Sequence, residues 1–248
     1  MGRRERYAPG TFCWADLGVS DRDTAKSFYG ALFGWKAEDQ SGLGGLYTFF
    51  SKDGATVAGL REGEPLWLSY VSVEDVDATT ERAGEAGATV EGSHDSLPAG
   101  RTATLSDPQG APFALWEAGD FAGAGLVNDE GAMVWQQLSS SDLPAAKDWY
   151  SSLFGWTWEE LEGGGGYANA RNPEGWLTAG AMQLPVPGVT PAWQVSFSVG
   201  DAAKACGRVE ELGGSTIVPR TETPVGGVAV AADPQGAPLG LFDGETEP

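Results

Sequence analysis

Few side chains in this sequence are equipped for chemistry, and their placement narrows the options further. The 248 residues include a single histidine, His94, and two cysteines, Cys13 and Cys206. One imidazole and two distant thiols do not make a His/Cys metal cluster. Asp16 is the sharpest acidic candidate. In Trp14-Ala-Asp-Leu-Gly18, strand alternation sets it on the same face as Trp14. A carboxylate on an aromatic wall can accept a ligand hydrogen bond, or act as a general base with a raised pKa. Cys13 falls on the other face, where a buried structural thiol is expected. His94 is expected in a loop between two strands, within Glu91-Gly-Ser-His-Asp-Ser-Leu-Pro98. The run Gly163 to Gly166 has no Walker pattern around it, so it is not a phosphate loop.

The elements that position these residues come in duplicate. Trp14-Ala-Asp-Leu-Gly-Val-Ser-Asp21 leads through Phe28-Tyr29 to Leu32-Phe33-Gly34-Trp35. Trp135-Gln-Gln-Leu-Ser-Ser-Ser-Asp142 leads through Trp149-Tyr150 to Leu153-Phe154-Gly155-Trp156, 121 residues on. Trp67 to Asp75 matches Trp193 to Asp201, and Asp107-Pro-Gln-Gly-Ala-Pro112 matches Asp233-Pro-Gln-Gly-Ala-Pro238, both at an offset of 126. Three colinear matches establish a tandem duplication. The first domain is read as 1–120, a Gly-rich linker as 121–130 and the second domain as 131–248. Within each copy a strand runs to a helix-capping Asp (Asp21, Asp75, Asp142, Asp201). Each helix is followed by three short strands. Asp107-Pro-Gln-Gly110 reads as a hairpin turn. The class is therefore α+β, with four βαβββ modules.

That pattern resembles the vicinal oxygen chelate superfamily of glyoxalases, bleomycin-resistance proteins and extradiol dioxygenases, and more narrowly its tandem two-domain members of the mycobacterial 27 kDa antigen type. The resemblance covers nearly the whole chain. It implies two glyoxalase/bleomycin-resistance-like domains whose mixed sheets curl into cups. It also implies where metal-binding members carry their ligands: Trp14, Leu68 and Ala114 in the first copy, and Trp135, Gln194 and Gly240 in the second. Trp, Leu, Ala and Gly offer no donor for a divalent ion, and one Gln is not a site. No metal and no cofactor is expected, which argues against glyoxalase and extradiol chemistry.

On the same resemblance, the cup faces carry Trp14, Asp16, Leu68, Tyr70, Ala114 and Trp116 in copy one. Copy two presents Trp135, Gln137, Gln194, Ser196 and Phe242, and His94 is expected to hang over the mouth of the first cup. Aromatic walls with a few polar groups are the usual make-up of a small-molecule site. The expected function is metal-independent binding of a largely apolar, aromatic small molecule or natural product, for sequestration, resistance or as a biosynthetic accessory. The alternative is a metal-independent isomerase, cyclase or lyase with Asp16 as its catalytic acid or base. The cup holding Asp16 is the first choice for activity.

Charge and composition exclude other classes. The formal net charge is −20, split −9 and −11 between residues 1–120 and 121–248. A field of that sign repels phosphate backbones, so nucleic acid is not an expected partner. No run approaches the ~18 apolar residues of a membrane span. Residues 1–7 are basic, but no apolar stretch follows as a signal peptide requires. Two unrelated cysteines fit a reducing cytoplasm. Module pairing, and whether the chain forms a homodimer, stay open at this level.

Overall fold

The structure, a computed structural model, describes residues 2–42, 45–161, 166–184 and 188–246; Gly163 to Gly165 of the glycine run lie outside these. The first copy contains β1 (Phe12–Val19), α1 (Arg22–Phe33), β2 (Lys36–Gly42), β3 (Gly45–Lys52) and β4 (Ala55–Glu62). It continues with β5 (Leu66–Ser72), α2 (Val76–Glu85), β6 (Thr89–Ser96), β7 (Gly100–Ser106) and β8 (Pro112–Ala118). The second repeats the order with β9 (Met133–Ser140), α3 (Leu143–Phe154), β10 (Thr157–Glu160), β11 (Ala168–Arg171) and β12 (Leu177–Gln183). It ends with β13 (Ala192–Ser198), α4 (Ala202–Glu211), β14 (Ser215–Thr223), β15 (Gly226–Ala232) and β16 (Pro238–Phe242). These are the four βαβββ modules, in two domains.

Each copy closes its own mixed eight-stranded sheet, in the order β2-β3-β4-β1-β5-β8-β7-β6 and β10-β11-β12-β9-β13-β16-β15-β14. The modules therefore pair within a copy, through antiparallel β1–β5 and β9–β13. All four helices start as the sequence requires. Asp21, Asp75, Asp142 and Asp201 each accept a backbone N–H of the first turn. Gly34 and Gly155 end α1 and α3 at φ 73° and 70°, in the left-handed region.

One correction concerns His94. It lies in β6, not in a loop, opposite Thr102 of β7. β6 is an exposed polar edge strand, so it lacks the alternation that marks a half-buried one. The β6–β7 hairpin is held partly by the Asp95–Arg101 ion pair at 2.8 Å.

The sheets meet back to back, and the repeated motifs build the contact twice, reciprocally. Buried Tyr29 of α1 donates to Asp233 of the second copy's hairpin at 3.1 Å and accepts from Trp67 Nε1 at 3.1 Å. Tyr150 of α3 donates to Asp107 at 3.0 Å and accepts from Trp193 Nε1 at 2.7 Å. Trp35 Nε1 donates to the Gly131 carbonyl, and Trp156 Nε1 to that of Gly10. Gln235 Oε1 accepts from Ser20 and the Asp21 amide while its Nε2 donates to the Asp21 carbonyl. Gln109 does the same to Ser140, Ser141 and Asp142. Each Asp-Pro-Gln-Gly hairpin thus clamps the start of the other copy's first helix.

Candidate functional site

Strand pairing sets the cup face. A bulge at Cys13 turns Phe12 to the back, against Trp156 and Trp193, and Trp14 to the front. Trp14 pairs with Tyr70 and Tyr70 with Ala114, while Asp16 pairs with Leu68 on one side and Gly59 on the other. Trp116, Thr102 and His94 form a further row, which places His94 at the outer rim of the first cup. In copy two the corresponding rows are Trp135, Ser196, Gly240, Val230 and Val218, then Gln194, Gln137, Gly180 and Asn169.

The first cup is filled by its own chain. Asp16 is 1% exposed. Its Oδ1 accepts from Arg61 Nε at 3.0 Å, and its Oδ2 from Tyr70 at 2.8 Å and Tyr47 at 3.2 Å. Tyr47 in turn accepts from Trp14 Nε1 at 3.0 Å. Burial pushes the Asp16 carboxyl above its ordinary value, against the pull of Arg61 and the two tyrosines. Burial also works against the Arg61 charge, but the Asp16 carboxylate outweighs it and holds the guanidinium above its ordinary range. Burial and the same carboxylate raise Tyr47 and Tyr70. With three donors around one carboxylate, we take the ion pair as the resting state. Cys13 is buried beside the Tyr70 carbonyl at 3.4 Å, and burial pushes its thiol up, out of the range of a nucleophile.

Above this network sits a residue that the glycine-rich reading of the linker missed. Phe121 lies edge-on to Trp14 at 4.9 Å, Phe49 at 5.6 Å and Trp116 at 6.1 Å. Its carbonyl accepts from Trp116 Nε1 at 2.9 Å. The segment around it forms a strap bonded to the first domain: Phe121 N to the Ala99 carbonyl, Ala124 N to Cys13 and Gly125 N to Thr56. Gly123, at φ 128°, passes so close to Cys13 that a Cβ would stand 2.3 Å from its carbonyl oxygen. A lone large aromatic in a small-residue stretch was the available signal.

The second cup differs at the equivalent positions. Gln137 replaces Asp16, Met182 replaces Arg61, Ser196 replaces Tyr70, Asn169 replaces Phe49 and Phe242 replaces Trp116. The Trp–Tyr bond persists, with Trp135 Nε1 donating to Tyr167 at 2.8 Å. Trp135, Gln137, Tyr167, Gln194 and Ser196 are all only half-buried. Among the described residues no ring packs on Trp135, and the side chains of Gln194 and Ser196 and the Gln137 carbonyl oxygen lack hydrogen-bond partners. Val218 and Val228, also on this face, are 43% and 36% exposed. The polar groups of the first cup are spent on one another; those of the second are not.

Neither donor set fits the metal that the superfamily's enzymes use. Trp14 and Trp135 turn their only polar atom to a tyrosine, Leu68 and Ala114 present carbon, and Gly240 presents no side chain. Among the described residues, no three His, Cys, Asp or Glu side chains converge as a metal site. No helix of the structure is long and apolar enough to cross a membrane.

Two curled eight-stranded sheets built from βαβββ modules define a paired-cup fold. Family models match both halves: "Glyoxalase-like domain" over residues 14–116, and "Glyoxalase/Bleomycin resistance protein/Dioxygenase superfamily" over 133–241. The chain belongs to that superfamily. It is 36% identical to "Putative glyoxylase CFP32" of Mycobacterium tuberculosis, over 96% of each chain. It is 35% identical to "Anthracycline biosynthesis protein DnrV" of Streptomyces peucetius, over 96% of this chain and 94% of that one. Among solved structures it is similar to the Mn(II)-bound glyoxalase from Novosphingobium aromaticivorans, with TM-score 0.66, 19% identity and coverage of 96% and 83%. The 2,3-dioxygenase LapB from Pseudomonas sp. KL28 also has TM-score 0.66, at 15% identity and coverage of 98% and 95%. At those identities the likeness is one of fold.

Proposed function

We propose that this protein binds an aromatic small molecule of natural-product type, without a metal, in its second cup. The carrying observation is the unspent polar wall around half-buried Trp135, on which no ring of the described chain packs as Phe121 and Phe49 pack on Trp14. Concave, largely apolar surfaces with a few convergent polar groups are where small ligands bind. The relatives named for anthracycline biosynthesis support an aromatic natural product as the ligand class. Sequestration and an accessory role in biosynthesis both fit such binding.

The alternative, acid–base catalysis by Asp16, has less support. Both carboxylate oxygens are engaged, and the strap with Phe121 lies over the network. A base must reach the proton it abstracts.

The test is equilibrium dialysis of the full chain against an anthracycline aglycone, with Trp135→Ala and Trp14→Ala in parallel. Binding by the parent, lost in Trp135→Ala and kept in Trp14→Ala, is the expected result. Binding that Trp135→Ala leaves intact would sink the assignment to the second cup.

A further inference from the structure

The two cups share a backbone but not a charge. At the position of Asp16 and Arg61, the second copy carries Gln137 and Met182, joined by a contact from Gln137 Nε2 to Met182 Sδ at 3.2 Å. Among the described residues, the cup-face groups left without partners include the Gln137 carbonyl oxygen, the Gln194 and Asn169 amides and the Ser196 hydroxyl, all of them neutral. Gln194 and Ser196 lie together, since a Cβ placed on Gly240 would stand 2.0 Å from Ser196 Oγ and 3.1 Å from Gln194 Nε2. The glycine is what lets both polar ends lie across β16. The charged groups stand at the rim: Glu159, which ends the row of Gln137, Gly180 and Asn169, is mostly exposed and faces Arg171 at 3.5 Å, and Arg220 is held by Asp243 at 2.5 Å.

A ligand that brought a formal charge against Gln137 and Met182 would lose hydration and meet no counter-ion there among the described residues, which costs far more than burying a neutral polar group that is hydrogen-bonded. A ligand with no polar edge would cover the unspent amide and hydroxyl and leave them unsatisfied. Trp135 offers a flat face to a ring.

We infer that the second cup selects an uncharged flat ring carrying a hydroxyl or carbonyl on its edge, and rejects anionic and cationic analogues of the same ring. The inference rests on the second cup being the binding site. The neutral pair Gln137 and Met182 sets the charge preference, and Gln194 with Ser196 reads the polar edge.

Four probes of one ring system test it by equilibrium dialysis with the full chain: 2-naphthol, naphthalene, naphthalene-2-sulfonate and 2-naphthylmethylammonium. Salt of about 1 M shortens the Debye length to ~3 Å, so the protein's net charge of −20 does not decide the ranking. Naphthol is expected to bind about tenfold or more tightly than the other three, and Trp135→Ala to remove that binding. Gln137→Asp sets a carboxylate opposite Met182 instead of an arginine, and should turn the preference toward the ammonium probe. Gln194→Leu, which leaves the charge unchanged, should erase the advantage of naphthol over naphthalene. If the sulfonate or the ammonium equals naphthol while Trp135→Ala still abolishes binding, the selectivity is refuted and the site stands. If Trp135→Ala leaves naphthol binding unchanged, or no probe binds, the second cup is not the site and the inference falls with it.

Discussion

Removing one oxygen from Tyr29 should weaken both domains at once. In Tyr29→Phe the ring remains stacked on Trp35 at 5.5 Å and edge-on to Trp67 at 5.4 Å, so packing is preserved. Two hydrogen bonds go. Asp233, 3% exposed, loses the donor to its Oδ2, although its Oδ1 keeps the amides of Gln235 and Ala237. Trp67 Nε1, in a residue that is also 3% exposed, is left without an acceptor. A hydrogen bond to a charged group contributes ~1.5–3 kcal/mol, and a buried donor left unsatisfied costs ~1–3 kcal/mol. The expected loss is about 2–4 kcal/mol, read by urea unfolding with tryptophan fluorescence and circular dichroism followed together. Tyr150→Phe removes the mirror-image pair, with Asp107 and Trp193, and should cost a similar amount. The two signals should remain coincident in both variants, because each tyrosine joins one copy to the other. A loss below about 0.5 kcal/mol, or a domain that unfolds separately while the other keeps its parent midpoint, would refute the idea that the clamps unite the molecule.

Other substitutions separate the cups. Asp16→Asn strips a partly buried Arg61 of its counter-ion; with that guanidinium a third exposed, the cost should be on the order of 1–2 kcal/mol in a thermal melt. Ligand affinity in the second cup should not change. Phe121→Ala should destabilise by roughly 2–3 kcal/mol and open the first cup to a small arene, detected by line broadening of toluene in NMR spectra. The carboxyl of Asp243 is held at about 2, below its ordinary 3.8, by Arg220 and by the amides of Ala202 and Gly227. Because that value is lowered in the folded chain, its contribution is complete above the ordinary carboxylate value and fades as the pH falls through about 2. Asp243→Asn should therefore cost on the order of 2 kcal/mol near neutral pH and flatten the acid limb of a stability–pH curve.

The duplication, the helix caps and the alternation of the central strands were legible because they depend on residues near one another in the chain. Asp21 and Gly34 bracket α1 through local backbone geometry alone. The fate of Asp16 was not legible, because its partners arrive from β3, β4 and β5 and their register is set by the folded sheet. Phe121 was hidden for a related reason: glycine and alanine around it describe a pliable segment, while its docking depends on the space between Trp14, Phe49 and Trp116. The Asp-Pro-Gln-Gly segments were recognisable as turns. Their second task, gripping the opposite copy, involves residues about 30 and 200 positions distant, beyond the reach of any local rule. His94 was misplaced because a polar edge strand carries no hydrophobic period.

The reciprocal clamps also explain where the two copies could part ways after the gene segment doubled. Tyr29 and Tyr150, Trp35 and Trp156, Asp107 and Asp233, and Gln109 and Gln235 remain paired in kind, since each bonds a counterpart in the other half, and Trp67 and Trp193 each donate to the tyrosine of their own copy that makes that bond. The opposite surface of each sheet answers to no such counterpart. There one copy carries an ion pair with a buried carboxylate and the other neutral, half-buried polar groups, while the shared seam is the same in both. Mutual dependence on one side left the other side free to specialise.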